Sequence, residues 1–83
     1  GANDLHLAYR DAAVHGLLDA AGNLTLEDQQ RLVRRGLRAG QARVRRAALD
    51  LMAQTGDPER ALRRASSDPD ATVRKWQPPA GGR

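Results

Sequence analysis

The chain has 83 residues, 40% of them hydrophobic, 2% aromatic and none of them cysteine, with a formal net charge of +4. This length allows one small domain, and the lack of cysteine excludes disulfides, thiol catalysis and cysteine-ligated zinc. No apolar stretch approaches the roughly 18 residues needed to cross a membrane, and no signal-peptide pattern is present, so we expect a cytoplasmic setting without membrane contact.

The first predicted helix begins at the N-cap Asn3 and continues to about Ala21, before the stop signal at Gly22. Its apolar residues fall on two faces, one with Leu7, Val14, Leu18 and Ala21 and another with Leu5, Ala8, Ala12 and Gly16. A helix that is apolar on two sides is usually covered on two sides. One possible cover is a second copy of the chain, so a homodimer through this helix is one hypothesis.

The second predicted helix starts at Thr25, an N-cap followed three residues later by Asp28 in a near capping box, and ends at about Gly40. Its inward side is predicted to carry Leu26, Leu32, Val33 and Leu37. Its outward side is predicted to carry Arg31, Arg34, Arg35 and Arg38. Glu27 lies four residues before Arg31, a spacing that favours an ion pair on a helix surface.

The third predicted helix runs from about Gln41 to Gln54 and ends at Gly56. Its predicted buried stripe contains Val44, Ala47, Ala48, Leu51 and Met52. Asp57 then caps a fourth helix, with Pro58 at its first position, where a missing N–H is tolerated. This helix ends near Ser66, with Ala61, Leu62 and Ala65 facing inward and Arg60, Arg63 and Arg64 facing outward.

A final helical turn is predicted after the break at Asp68-Pro69, with Asp70 as its cap. No strand pattern occurs, and the short connections favour antiparallel neighbouring helices. We therefore predict an all-α domain at 3–76, built from two antiparallel helix pairs and a terminal turn, followed by a disordered tail at 77–83. Trp76 is predicted to cover the open end of the second pair.

A Val-Arg pair occurs at Val44-Arg45 and again at Val73-Arg74, each time after a turn. The stretch VRRAALDLMAQTGDPERALRRASSDPDATVRKW resembles the HEAT-like repeats of the armadillo-type α-solenoid superfamily, and it is also similar to the leucine-rich-repeat variant. The first helix pair departs from the pattern because it lacks the opening Val-Arg. The resemblance implies that Arg45 and Arg74 join repeats through turn acids such as Asp57 and Asp68.

Catalysis is not expected from this sequence. The only imidazoles are His6 and His15, and no glycine-rich phosphate loop is present. Asp11 lies four residues before His15, which we interpret as a surface pair rather than an acid–base pair. We predict no catalytic, cofactor or metal site.

The resemblance implies that the second helix of each pair lines the inner surface of the array. In this chain both such helices are rich in arginine on their outward sides, at Arg31, Arg34, Arg35, Arg38, Arg60, Arg63 and Arg64. Guanidinium groups bind carboxylates and phosphates through paired hydrogen bonds. The favoured interpretation is therefore a non-enzymatic adaptor that binds an acidic or phosphorylated protein segment.

Two alternatives to that interpretation remain open at this point. The first is sequence-nonspecific binding of a DNA or RNA backbone, because Arg neutralises phosphates. The low aromatic content of 2% argues against stacking on bases. The second alternative is that the arginines form a solvated face that only keeps an alanine-rich domain in solution.

Overall fold

The computed structural model describes residues 13–79, and all regular structure in that range is helical. Helix α1 occupies 13–19 and is followed by a 3-10 turn at Ala21–Asn23. The other helices are α2 (Leu26–Leu37), α3 (Ala42–Gln54), α4 (Pro58–Ser66) and the short α5 (Ala71–Arg74). The all-α prediction is confirmed for this range, in which no helix is long and apolar enough to cross a membrane.

The first helix ends at residue 19, before its predicted end, because the chain tightens into the 3-10 turn. Its predicted buried face is confirmed at Val14, Leu18 and Ala21, which are at most 8% exposed. Gln29 of α2 stabilises the 3-10 turn, since its Nε2 group donates to the carbonyl oxygens of Ala21 and Leu24 at 2.8 and 3.1 Å. The predicted start at Asn3 lies outside residues 13–79.

The predicted caps are confirmed at three helix starts. Thr25 accepts a hydrogen bond from the Asp28 N–H at 3.2 Å, and Asp57 accepts one from the Arg60 N–H at 3.2 Å. Asp70 accepts one from the Thr72 N–H at 2.8 Å. These caps were predictable because each depends only on residues that are close in sequence.

Helix α3 is the central element of the fold and packs against α2, α4 and α5. Of its predicted stripe, Val44, Ala48, Leu51 and Met52 are buried and Ala47 is half-buried. Leu49 was not predicted to be buried, yet it is only 1% exposed. A helix that is covered on several sides buries residues outside a single stripe.

Helices α2 and α3 form an antiparallel pair with a close approach near the turn that joins them. A Cβ placed on Gly36 would lie 2.8 Å from Ala48 Cβ, so Gly36 allows the two backbones to approach. Further from the turn, Val33 and Met52 border the same cleft. This pairing leaves the start of α2 beyond the C-terminus of α3.

Two inward predictions are wrong. Leu26 is 58% exposed because it lies in the first turn of α2, beyond the end of α3. Leu62 is 37% exposed, whereas Ala61 and Ala65 on the same helix are at most 1% exposed. Small residues allow α4 to contact α3 along a narrow stripe, and Leu62 lies at the edge of that stripe.

The prediction that Arg45 contacts a turn acid is confirmed at Asp68. The Nε and Nη2 groups of Arg45 donate to the two carboxylate oxygens of Asp68 at 2.8 and 3.0 Å. Arg74 instead donates to the backbone carbonyls of Asp68 and Pro69. The carboxylate of Asp57 caps α4 by accepting a hydrogen bond from the backbone N–H of Arg60.

Trp76 lies beyond α5 and is only 3% exposed, within the same core as Val44 and Val73. Its Nε1 group donates to Asp50 Oδ1 of α3 at 2.8 Å. The indole therefore covers the end of the core that faces the C-terminus. Residues 77–79 have no regular structure, and the rest of the predicted tail lies outside the described range.

Candidate interaction groove

All seven predicted binding arginines are exposed. Arg31 forms the predicted pair with Glu27, at 3.6 Å, and both side chains are more than two-thirds exposed. An exposed pair at this spacing contributes only about 0.3–0.5 kcal/mol, so Arg31 can exchange it for another partner. The other six guanidinium groups have no carboxylate within 4.0 Å in the part of the chain that the structure describes.

The outward arginines of α2 and α4 follow the same short pattern. RLVRRG at 31–36 and RALRRA at 60–65 are 29 residues apart, the same offset that relates the two Val-Arg pairs. In each copy the residue after the paired arginines is small and buried, as Gly36 and Ala65 show. The sequence displays this second recurrence directly, in addition to that of the Val-Arg pairs.

A cleft of about 470 Å³ lies between α2 and α4. On the α2 side it is bordered by Gln30, Val33, Arg34 and Leu37. On the opposite side it is bordered by Met52, Thr55, Gly56, Asp57 and Arg60. Arg34 and Arg60, from different helices, therefore border one depression.

Leu37 also borders a second cleft of about 390 Å³. The second cleft is also lined by Arg45, Arg64, Ser67, Asp68 and Pro69. We call the two clefts together the arginine groove. Its borders include Arg34, Arg60 and Arg64.

The other four predicted arginines are exposed but do not line the groove: Arg31, Arg35, Arg38 and Arg63. The arginines that line the groove lie beside three apolar residues, Val33, Leu37 and Met52. These three residues were predicted from the sequence to belong to the core. Val33 and Met52 are mostly buried, at 6% and 8% exposure, and Leu37 is half-buried. These residues thus serve the core and the groove together.

Two carboxylates border the arginine groove, and each is already engaged. Asp57 lies in the first cleft and accepts the Arg60 N–H. In the second cleft, the hydrogen bonds from Arg45 hold the pKa of Asp68 below its ordinary value against the opposing effect of burial, and the Asp70 N–H assists. The charge of Arg64 also lowers the pKa of Asp68, but no carboxylate lies within 4.0 Å of the Arg64 guanidinium group among the described residues.

A polar cleft of about 360 Å³ lies on another side of α3 and is bordered by Asp19 and Asp50. Asp19 Oδ2 lies 3.5 Å from His15 Nδ1, and Asp50 accepts the indole N–H of Trp76. The alternative partner of His15, Asp11, lies outside the described residues. Within 13–79, no group of three or more His, Asp or Glu side chains could hold a metal ion.

No protein-family model, curated protein or solved structure matches this chain. The arginine groove is therefore interpreted from its own residues, charges and contacts.

Proposed function

We propose that this domain is a non-enzymatic interaction module, a HEAT-like pair of helical repeats that binds an acidic protein segment in the arginine groove. One observation carries the proposal. Arg34 and Arg60 belong to different helices and border one cleft of mixed polar and apolar lining, and neither has a carboxylate partner among the described residues. Two unpaired cations that converge on a concave surface favour an anionic ligand.

The chemistry of arginine supports both a carboxylate and a phosphate as the recognised group. A guanidinium group donates two parallel hydrogen bonds to either anion, and it is less strongly hydrated than the ammonium group of lysine. Exposed charges of one sign also accelerate encounter with an oppositely charged partner, and this acceleration decreases with salt. An adaptor in the cytoplasm, where aspartate-rich and phosphorylated segments occur, fits a chain without cysteine.

Nucleic acid is the second candidate ligand, since seven exposed arginines could follow a phosphate backbone. The aromatic content argues against base recognition. Trp76 is the only aromatic residue within 13–79, and it is buried with its N–H engaged by Asp50. Nucleic-acid binding would therefore rest on backbone charge alone.

Self-association through the first helix is a further partner hypothesis. Leu17 of α1 is 52% exposed, next to the buried Leu18. Light scattering over a wide dilution range tests it. A constant monomer mass would contradict a homodimer.

The binding test uses fluorescence anisotropy with four labelled probes at about 50 and 200 mM salt. The probes are an aspartate-rich peptide, a phosphoserine peptide, a random DNA duplex and single-stranded RNA. Arg34→Glu/Arg60→Glu reverses two charges at the groove. Arg43→Glu/Arg46→Glu is the matched control, because it changes the net charge equally at exposed positions that do not line the groove.

We expect a peptide probe to bind, the groove variant to weaken it at least roughly tenfold, and the control variant to retain most of the affinity. The comparison of aspartate with phosphoserine identifies the preferred anion. Equal losses in the two variants, with DNA or RNA binding tightest and losing roughly a hundredfold between the two salts, would favour nucleic acid. No binding of any probe at the lower salt would reject the proposal.

A further inference from the structure

The arginine groove combines charged borders with an apolar floor. Its borders carry three exposed arginines, Arg34, Arg60 and Arg64, and Leu37 lines both clefts. Charge attraction alone would not require such a floor, since exposed arginines elsewhere on α2 and α4 already present the same charge. The floor therefore offers a second kind of contact to any segment that the arginines attract.

The dimensions of the groove limit the length of the segment it holds. Its α2 side extends from Gln30 to Leu37 and its α4 side from Arg60 to Ser67. At 1.5 Å per helical residue, each side is about 10 Å long. An extended chain advances about 3.3 Å per residue, so about three residues of a ligand lie between these borders.

Successive side chains of an extended segment point in opposite directions. If the central one of three side chains points to the floor, its two neighbours point away from the floor, to the level of the exposed arginines. An apolar side chain is favoured at the centre because Leu37, Val33 and Met52 offer it apolar contact. Acidic side chains are favoured on both sides of it, because guanidinium groups border each half of the groove.

We propose, building on the proposed function, that the groove selects an extended segment in which one apolar side chain lies between acidic residues. The apolar side chain contacts Leu37, one flanking carboxylate pairs with Arg34 and Arg60, and the other pairs with Arg64. Asp57 lies in the cleft that Arg34 and Arg60 border. Its negative charge disfavours further acidic residues beyond that end.

The test compares two labelled peptides that differ at one position. The first has a leucine between two single aspartates, and the second has a serine in place of that leucine. Both carry the same charge, so any difference in affinity for the natural chain reports the apolar contact. Leu37→Gln is the protein variant, and circular dichroism verifies its fold because Leu37 also packs against the core.

We expect the leucine peptide to bind roughly tenfold more tightly than the serine peptide, as partial burial of one leucine side chain predicts. We expect Leu37→Gln to remove most of this difference, while Arg43→Glu/Arg46→Glu preserves it. Equal binding of the two peptides by the natural chain would overturn this inference and leave the proposed function standing. Binding of neither peptide would also overturn this inference, whereas the proposed function would fall only if the phosphoserine peptide did not bind either.

Discussion

The turn before α3, at 38–41, and the turn before α5, at 67–70, have matching contacts with the arginine that follows each of them. Arg45 Nη1 donates to the carbonyl oxygens of Ala39 and Gly40 at 2.8 and 3.1 Å. Arg74 Nη1 donates to those of Asp68 and Pro69, both at 2.9 Å. In each case the arginine reaches back to the carbonyls five and six residues before it, so the first turn and the second turn share one local structure.

The two turns differ in what surrounds them. Arg45, which follows the first turn, also binds the carboxylate of Asp68 and so connects the first turn to the second. Arg74 is exposed and has no carboxylate partner among the described residues. Trp76, buried against Asp50, occupies the position that corresponds to the half-buried Ala47. The two turns thus share one local structure but differ in their surroundings, since the clamp formed by Arg45 and Asp68 joins them and a buried aromatic side chain follows only the second.

The largest effect is expected from removing that aromatic cover. Trp76→Ala deletes a buried indole and should lower the free energy of unfolding by about 3–5 kcal/mol, a large share of the roughly 5–15 kcal/mol typical of small domains. Urea denaturation followed by circular dichroism measures this loss. Trp76→Phe is the control, since it keeps a ring and removes the bond to Asp50, and it should cost only about 1–2 kcal/mol. Unchanged stability of Trp76→Ala would contradict the role of Trp76 as a cover.

The clamp between Arg45 and Asp68 should contribute more to stability than the contacts of Arg74 in the second turn. Arg45→Met leaves the mostly buried Asp68 without its bidentate partner and should cost about 2–3 kcal/mol. Arg74→Met, which has the same change of charge and shape, loses only exposed contacts and should cost less than about 1 kcal/mol. Urea denaturation at neutral pH measures both losses of stability. Equal losses would show that the two turns are energetically alike and that the contact with Asp68 adds nothing.

Local features of this fold could be predicted from the sequence, whereas much of the long-range packing could not, the contact of Arg45 with Asp68 being an exception. The caps at Thr25, Asp57 and Asp70 depend on residues two or three positions apart, which a sequence displays directly. The burial of Leu49 depends on how many helices cover α3, and the exposure of Leu26 depends on where α3 ends. Neither fact is a property of the helix that carries the residue.

The same division applies to the arginine groove. The exposure of the arginines could be predicted because they lie opposite the apolar side of each helix. Which arginines border the same cleft could not be predicted, because Arg34 and Arg60 belong to different helices that both pack against α3. The double role of Met52, in the core and at the groove, likewise emerges only from the packing.

A smaller effect on stability is expected from a methyl group added at Gly36. This position corresponds to Ala65 in the second arginine pattern. A methyl group fits at the second position but would meet Ala48 Cβ at 2.8 Å at the first. We expect Gly36→Ala to destabilise the domain by about 1–2 kcal/mol, although alanine favours a helix over glycine. Gly16→Ala is the matched control, because no atom of residues 13–79 lies within 4 Å of its new Cβ, and it should be neutral or stabilising. Stabilisation by both substitutions would contradict the close approach of α2 and α3.

The smallest effect is expected from acid, which weakens the contact between the two turns without removing an atom. The hydrogen bonds from Arg45 lower the pKa of Asp68 below the unfolded value of 3.8. This carboxylate therefore contributes its full stabilisation at pH values above the unfolded pKa and loses it as the pH falls through the folded pKa. Protonation removes the charge and turns one of the two accepting oxygens into a hydroxyl group, while the carbonyl oxygen still accepts a hydrogen bond.

Urea denaturation at intervals from about pH 6 to about pH 2 measures this dependence. Asp68→Asn should be less stable at neutral pH, and its stability should fall less steeply toward acid. Part of the slope should remain, because hydrogen bonds from Thr72 also lower the pKa of Asp70 in the same turn. Parallel curves for the natural chain and Asp68→Asn would show that the charge of Asp68 is not what joins the two turns.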